Sequence, residues 1–425
     1  MTNITPIQGL RLSPGLDYSQ IITQPYDVID PELQEKYYEK SPFNIIRLEY
    51  GKSLPGDNDF NNKYSRAART FQEWLEKGIL YQEEKPALYF YDQYFSQEGK
   101  KYLRRGLYCG VELSPFHEGK IIPHEETMDK PKADRLELMN YCEANFSPIF
   151  GLYRDKKMFI ENLGENIKKR SSPIIDFTDD EGQTHRIWAV TDPDEIAVAQ
   201  HFFQEKKIFI ADGHHRYETA LQFYQQKRKE TADLKKYNHV LMALVNIYDE
   251  GLLSFPTHRL VLHSDIKTED LLFNLEKNFI LHELEISDDK KQFQATIENF
   301  FKSAKREEIS LGLYTAERKL LGLKLKNTKH FSFPMLDSFV LQELILKTIF
   351  GLGEAERKDQ ANLIYLKDEC EAKDYIDSGK ARYVFFLNRP HIEKIIDLAE
   401  KGIRMPQKTT YFYPKMVTGL IMLKH

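Results

Sequence analysis

The sequence predicts an α+β protein, with a mixed-sheet core and a second, smaller α/β domain. Three observations predict it. The chain has 425 residues, enough for two or three cooperating cores rather than one. A short apolar run at 207–211 leads through Asp212 and Gly213 into a helical pattern at 217–229, the mark of a strand–turn–helix unit. From about Ser264 the texture changes to charged helices alternating with short strands, and His and Arg become sparser. The expected division is a core over 1–264, a smaller domain over 265–380 and a C-terminal segment, 381–425, that folds back onto the core.

The elements follow in order. The turn at 24–30 holds Pro25 and two carboxylates, Asp27 and Asp30, and 44–49 reads as a strand with Arg47 and Glu49 exposed on one face. Residues 51–62, with two glycines and a proline, read as a loop. Ala67, Ala68, Phe71, Trp74 and Leu75 then recur at helical spacing, and Gly78 stops that helix. Strands are expected at 87–94 and 108–113. The polar stretch 124–135 opens a helix on which Leu138, Met139 and Cys142 share a face, and the chain breaks again at 171–173. A further strand at 240–247 precedes a turn at 249–251.

Composition excludes several classes. The 60 basic and 65 acidic residues give a formal charge of −5, which argues against bulk electrostatic binding to nucleic acid. The three cysteines, Cys109, Cys142 and Cys370, form no CxxC pair, so neither a disulfide framework nor a cysteine zinc site is expected. No apolar run approaches about 18 residues, and the first residues lack a signal-peptide pattern. A cytoplasmic protein without a membrane partner is expected.

Five residues stand out, Asp212-Gly213-His214-His215-Arg216. A strand, a glycine turn and a helix start aim backbone N–H groups and the helix dipole at one spot, which suits a phosphate. Gly213 permits a sharp turn, Asp212 can act as base or hold Mg²⁺, and His214, His215 and Arg216 supply donors and charge. The alternative is that Asp212 caps the helix and the histidines are ordinary surface residues. A second cluster, Thr257-His258-Arg259, offers another anion contact or simple surface polarity. In the third, Glu125 or Glu126 can serve as general base beside Lys130, Lys132 and Arg135. This stretch is equally readable as a solvated loop with Asp134 near a helix start, and Met128 breaks the HExxH zinc pattern. In the fourth, Lys408, Thr409, Thr410 and Lys415 lie among Tyr411, Phe412 and Tyr413, able to bind anions or simply to flank a core strand. The common nucleotide signatures, GxxxxGK[ST] and GxGxxG after a strand, are absent from the sequence.

Taken in order, several blocks resemble the family known as domain of unknown function 1015. They are 25–29, 44–49, His124 and Glu125 with Thr127, Lys130, Lys132, Asp134 and Arg135, 145–151, 211–220, 256–259, 386–388 and 405–415. The Asp-Gly-His-His-Arg block is also similar to the signature of archaeal free-serine kinases, which have a ParB/sulfiredoxin-like fold. His214 stands where sulfiredoxin has its reactive cysteine, so thiol chemistry is not implied.

The resemblance implies a ParB/sulfiredoxin-like core and a small-molecule phosphotransferase. Its most specific form moves a phosphoryl group between ATP or ADP and the hydroxyl of free L-serine, with Mg²⁺ as cofactor. It implies Glu125, Asp212 and His214 as catalytic residues, Asp212 also as metal ligand, with Glu49 an alternative base. Phosphate or nucleotide contacts would come from Gly213, His215, Arg216, Lys130, Lys132, Arg135, Thr257, His258, Arg259 and Lys408. The competing expectations are a ParB-like nucleotide- or DNA-binding regulator without catalysis, and a metal hydrolase built on His124, His214, His215 and His258.

Overall fold

The computed structural model describes residues 1–125, 129–305, 308–326, 331–353, 362–406 and 408–425, with Asp129 and Lys130 described in the backbone alone. Packing divides the chain into two units, one formed by Met1–Leu253 with Phe412–His425 and the other by Ser254–Tyr411.

The first unit is organised by a nine-stranded mixed sheet. Its strands are β1 (Ile4–Thr5), β2 (Leu88–Gln97), β3 (Lys100–Glu112), β4 (Ile121–Pro123), β5 (Ile149–Tyr153), β6 (Ile175–Thr178), β7 (Thr184–Val190), β8 (Ile208–Asp212) and β9 (His239–Asn246). They lie in the order β4-β8-β5-β9-β3-β2-β7-β6, with β1 beside β3. Two pairings, β4 with β8 and β5 with β9, are parallel; the hairpin β2–β3 is antiparallel. Strands β5, β8 and β9 are apolar nearly throughout, as both faces of the sheet centre are covered. Ile149, Ile208, Ile210, Val240 and Met242 pack in one cluster with Phe203, Tyr217 and Phe223.

Four helices position the site. They are α1 (Ile46–Glu49), α2 (Lys63–Glu76), α3 (Asp129–Cys142) and α4 (His214–Glu230). Helix α2 starts at a reciprocal Asn62–Ser65 capping box and buries Ala67, Phe71 and Trp74, the face its periodicity predicts. Helix α3 packs along both α2 and α4. Helix α1 replaces the strand expected at 44–49. The Asn44 Oδ1 accepts the Ile46 amide at 3.0 Å, which nucleates a helical turn, and Glu49 ends up buried instead of exposed.

The second unit holds a six-stranded sheet of β10 (His258–Val261), β11 (Phe279–Glu283), β12 (Ser310–Thr315), β13 (Leu320–Leu325), β14 (Leu363–Leu366) and β15 (Tyr383–Leu387). The order is β11-β13-β12-β15-β10-β14, and every pairing among the described residues is antiparallel. Alternation sends Leu311, Leu313 and Phe385 to one core and Leu260, Tyr314, Val384 and Phe386 to another, so helices cover both faces. Strands β10 and β15 are central to this sheet. That pairing carries 254–264 and 381–411 into the second unit.

The part of the C-terminus that belongs to the first unit is Phe412–His425. It is threaded through that unit and not laid on it. Thr418 bridges Thr23, Met422 bridges Leu10, and Leu423–Lys424 pairs with Ala144–Asn145. Residues 416–423 are all buried.

Candidate functional site at the Asp212–Arg216 junction

Strand β8 lies between β4 and β5, and its pairing with β5 shifts register between Ile210 and Asp212. Such a bulge re-aims the residue that follows it, here the Asp212 carboxylate at the strand end. Gly213 then turns the chain at φ +92, a left-handed conformation that glycine adopts without strain. A second reason for glycine is spatial. A Cβ here would stand 2.9 Å from Arg216 Nε, because the guanidinium folds back over the turn. Helix α4 follows at once, with 17 residues of aligned peptide dipoles behind the junction.

Two cations serve Asp212. Lys415 Nζ lies 3.2 Å from Oδ2, and Arg216 Nη2 lies 3.6 Å from the same oxygen. Burial alone would raise this carboxyl, but Lys415 and Arg216 outweigh it and hold it below its usual range. Asp27 behaves oppositely. Burial, then the neighbouring Asp212 charge, raise its carboxyl, although its side chain is reached by solvent.

Behind the junction lies a buried network. Glu49 accepts from Ser147 Oγ at 2.8 Å and lies 3.4 Å from Arg135, which also donates to the Glu49 carbonyl at 2.8 Å. Arg135 grips Asp134 at 2.6 Å and stacks on the Tyr26 ring at 4.3 Å. Burial would raise Asp134, yet Arg135 and Lys63 bring its carboxyl down to about 2, while burial leaves Glu49 raised. A cavity of about 30 Å³ is lined by Glu49, Arg135, Ser147 and Arg216 among others. Arg216 donates to the Pro148 carbonyl, and its buried Nε has no hydrogen-bond partner among the described residues.

The remaining expected residues divide sharply. Glu125 lies with its Oε1 3.6 Å from His124 Nε2. His214 is buried; its Nε2 accepts the His124 amide at 3.3 Å, and the two rings meet edge to face at 4.8 Å. His124 Nδ1 donates to the Ile210 carbonyl at 2.6 Å, so the two histidines tie the end of β4 to β8 and to the start of α4. That geometry places His214 against His124 inside the first unit. His215 is half-buried, and burial followed by Lys132 lowers its imidazole against Glu218, Asp27 and Glu125, which favours a neutral donor over a cation. Lys132 pairs with Glu218 at 3.2 Å, linking α3 to α4. Arg135, expected on phosphate, is instead enclosed with Glu49 and Asp134. The side chain of Lys130 and residues Glu126 and Thr127 lie outside the described residues.

Thr257, His258, Arg259 and Lys408 belong to the second unit. Arg259 donates to Thr257 Oγ1 at 2.5 Å and to the Lys408 carbonyl at 3.0 Å, and it stacks on Tyr365 at 4.3 Å. His258 accepts the Leu387 amide at 3.2 Å and faces Glu369 at 3.3 Å. These contacts all lie within the second unit. Among the described residues no group of three or more His, Cys, Asp or Glu is placed to hold a metal ion.

A family model described as "Protein of unknown function (DUF1015)" matches residues 4–344. The chain belongs to this family. The family match covers the Asp212–Arg216 junction and ends before the blocks at 386–388 and 405–415, so Lys415 lies beyond it. A search of curated proteins found no match for this DUF1015 chain. Among solved structures it is similar to a conserved hypothetical protein from Pyrococcus furiosus, at 13% identity and a TM-score of 0.35, covering 73% of this chain and 92% of that one. It is also similar to a free serine kinase in complex with AMP, at 14% identity and 0.35, covering 72% and 86%. A third is SbnI from Staphylococcus aureus, at 10% identity and 0.35, covering 71% and 87%. Superpositions this loose transfer no residue and no role to the DUF1015 chain.

Proposed function

We propose that this protein is a small-molecule phosphotransferase, moving a phosphoryl group between ATP or ADP and the hydroxyl of free L-serine. One observation carries the reading: a strand end, a left-handed glycine and a long helix place Asp212 and Arg216 together at a helix N-terminus. The serine acceptor and the ParB/sulfiredoxin-like core are what the sequence resemblance implies.

In this reading the first-turn amides of α4 and the Arg216 guanidinium take the phosphoryl oxygens, and a neutral His215 adds a donor. Glu125 accepts the proton of the serine hydroxyl as its oxygen attacks phosphorus, and the bond from phosphorus to the departing nucleotide breaks. Asp212 orients Arg216, while Lys132 and, by the resemblance, Lys130 add positive charge nearby. His214 and Arg135 hold the frame.

A resident Mg²⁺ on Asp212 does not fit the donors present. An ammonium 3.2 Å from Oδ2 and a guanidinium 3.6 Å away already neutralise that carboxylate and would repel a divalent ion. Magnesium arriving with a nucleotide is part of the substrate.

The test is phosphorus NMR of ATP or ADP incubated with L-serine and the protein. Phosphoserine is expected, with Asp212→Asn abolishing it and Glu125→Gln slowing it about 100-fold or more. No phosphoserine with either nucleotide would sink the serine version, and nucleotide binding without turnover would favour the regulatory one.

A further inference from the structure

The geometry points to Lys415 as a ligand contact of this site, supplied by the C-terminal segment and taking the phosphate of the bound nucleotide. The inference rests on the phosphate-binding reading of the Asp212 junction and adds a residue outside its strand–turn–helix signature. Lys415 lies among the chain's aromatic C-terminal residues.

The placement is fixed by packing. Arg104, wholly buried on β3, donates to the Pro414 carbonyl at 2.7 Å, and its guanidinium stacks on Phe150 of β5 at 5.1 Å. The Phe412 ring meets Phe150 at 5.6 Å and His124 at 6.4 Å. Met416 and Val417 are buried immediately after Lys415. With both flanks anchored, the lysine is aimed at Asp212 and reaches it from an element other than α4. Lys415 and Arg216 thus stand together at the helix N-terminus, where an anion gains most, with Asp212 and Asp27 as their neighbours.

The experiment is titration calorimetry with ADP on the full-length wild type, Lys415→Met, Lys415→Arg, Asp212→Asn and the double variant Asp212→Asn/Lys415→Met. Thermal melts check that each is folded. Lys415→Met is expected to weaken ADP binding about tenfold or more, and Lys415→Arg to retain most of it. The decisive comparison is within the Asp212→Asn background, where adding Lys415→Met should again cost about tenfold. If Lys415→Met costs nothing there, the lysine only neutralises Asp212 and the inference is overturned. If the wild type binds no ADP, the site reading itself fails, a different and separately visible result.

Discussion

Two short polar blocks, 212–216 and 257–259, look alike in sequence, yet the fold uses them in opposite ways. Each sets a histidine and an arginine beside an apolar strand. The first lies where a strand ends, a left-handed glycine intervenes and a helix begins. Its arginine shares one carboxylate with Lys415 at a half-exposed junction. The second lies within a central strand of an antiparallel sheet, with neighbours on both sides. There the arginine's donors are spent on Thr257 and on the Lys408 carbonyl, and the histidine is wholly buried. Polar residue types do not make a site. What matters is whether the backbone at that point has hydrogen-bonding capacity left to offer a ligand.

The sharpest way to break this comparison is to cut both arginines. Arg216→Ala should weaken ADP binding about 100-fold, since it removes a charge-assisted contact and leaves Asp212 with one cation. Calorimetry measures it. An affinity within about threefold of wild type would mean the junction is not the phosphate site. Gly213→Ala is the companion variant. It combines the left-handed φ with a clash against the folded-back guanidinium, so a loss of about 1–2 kcal/mol in stability and weaker binding should appear together.

Arg259→Met should do the reverse. The substitution leaves the Lys408 carbonyl and Thr257 without their cationic donor, at a cost of about 3 kcal/mol in stability. ADP affinity measured below the melting temperature should stay within about twofold. If binding fell as steeply as for Arg216→Ala, the contrast between the blocks would be wrong.

How far the molecule was legible follows from the range of the interactions involved. The 212–216 junction is local: an apolar run, a glycine and a helical pattern stand next to one another, and they fold as read. Lys415 is not local. Its partner is fixed by Arg104, Pro414 and the burial of 416–423, none of which periodicity reveals. The block 44–49 alternates over too few residues to separate a strand from a helical turn, and Asn44 decided it. The charge of Arg135 is visible in sequence and its burial against Glu49 and Asp134 is not. Nor does the sequence show that Thr257 and Arg259 share a partner carbonyl at Lys408.

The smallest expected effect separates the two units by pH. In the first, Asp134 is held down to about 2 by Arg135 and Lys63 against the effect of burial. A depressed carboxylate adds stability above its unfolded value near 3.8 and loses it only as pH falls toward 2, so this contribution is constant from pH 5 to 8. Asp337 in the second unit is the opposite case. Burial, opposed by Lys394, raises its carboxyl to about 7. The native state there keeps a proton that the unfolded chain releases near 3.8, so its contribution falls as pH rises from about 4 to 7. Asp337→Asn mimics the protonated form at every pH. The variant should therefore match wild type near pH 4 and exceed it at pH 8 by about 1 kcal/mol, discounted for the partial exposure of the side chain. Urea unfolding at both pH values measures the difference. Equal stabilities of the two proteins at pH 8 would show that Asp337 ionises freely in the folded sheet domain.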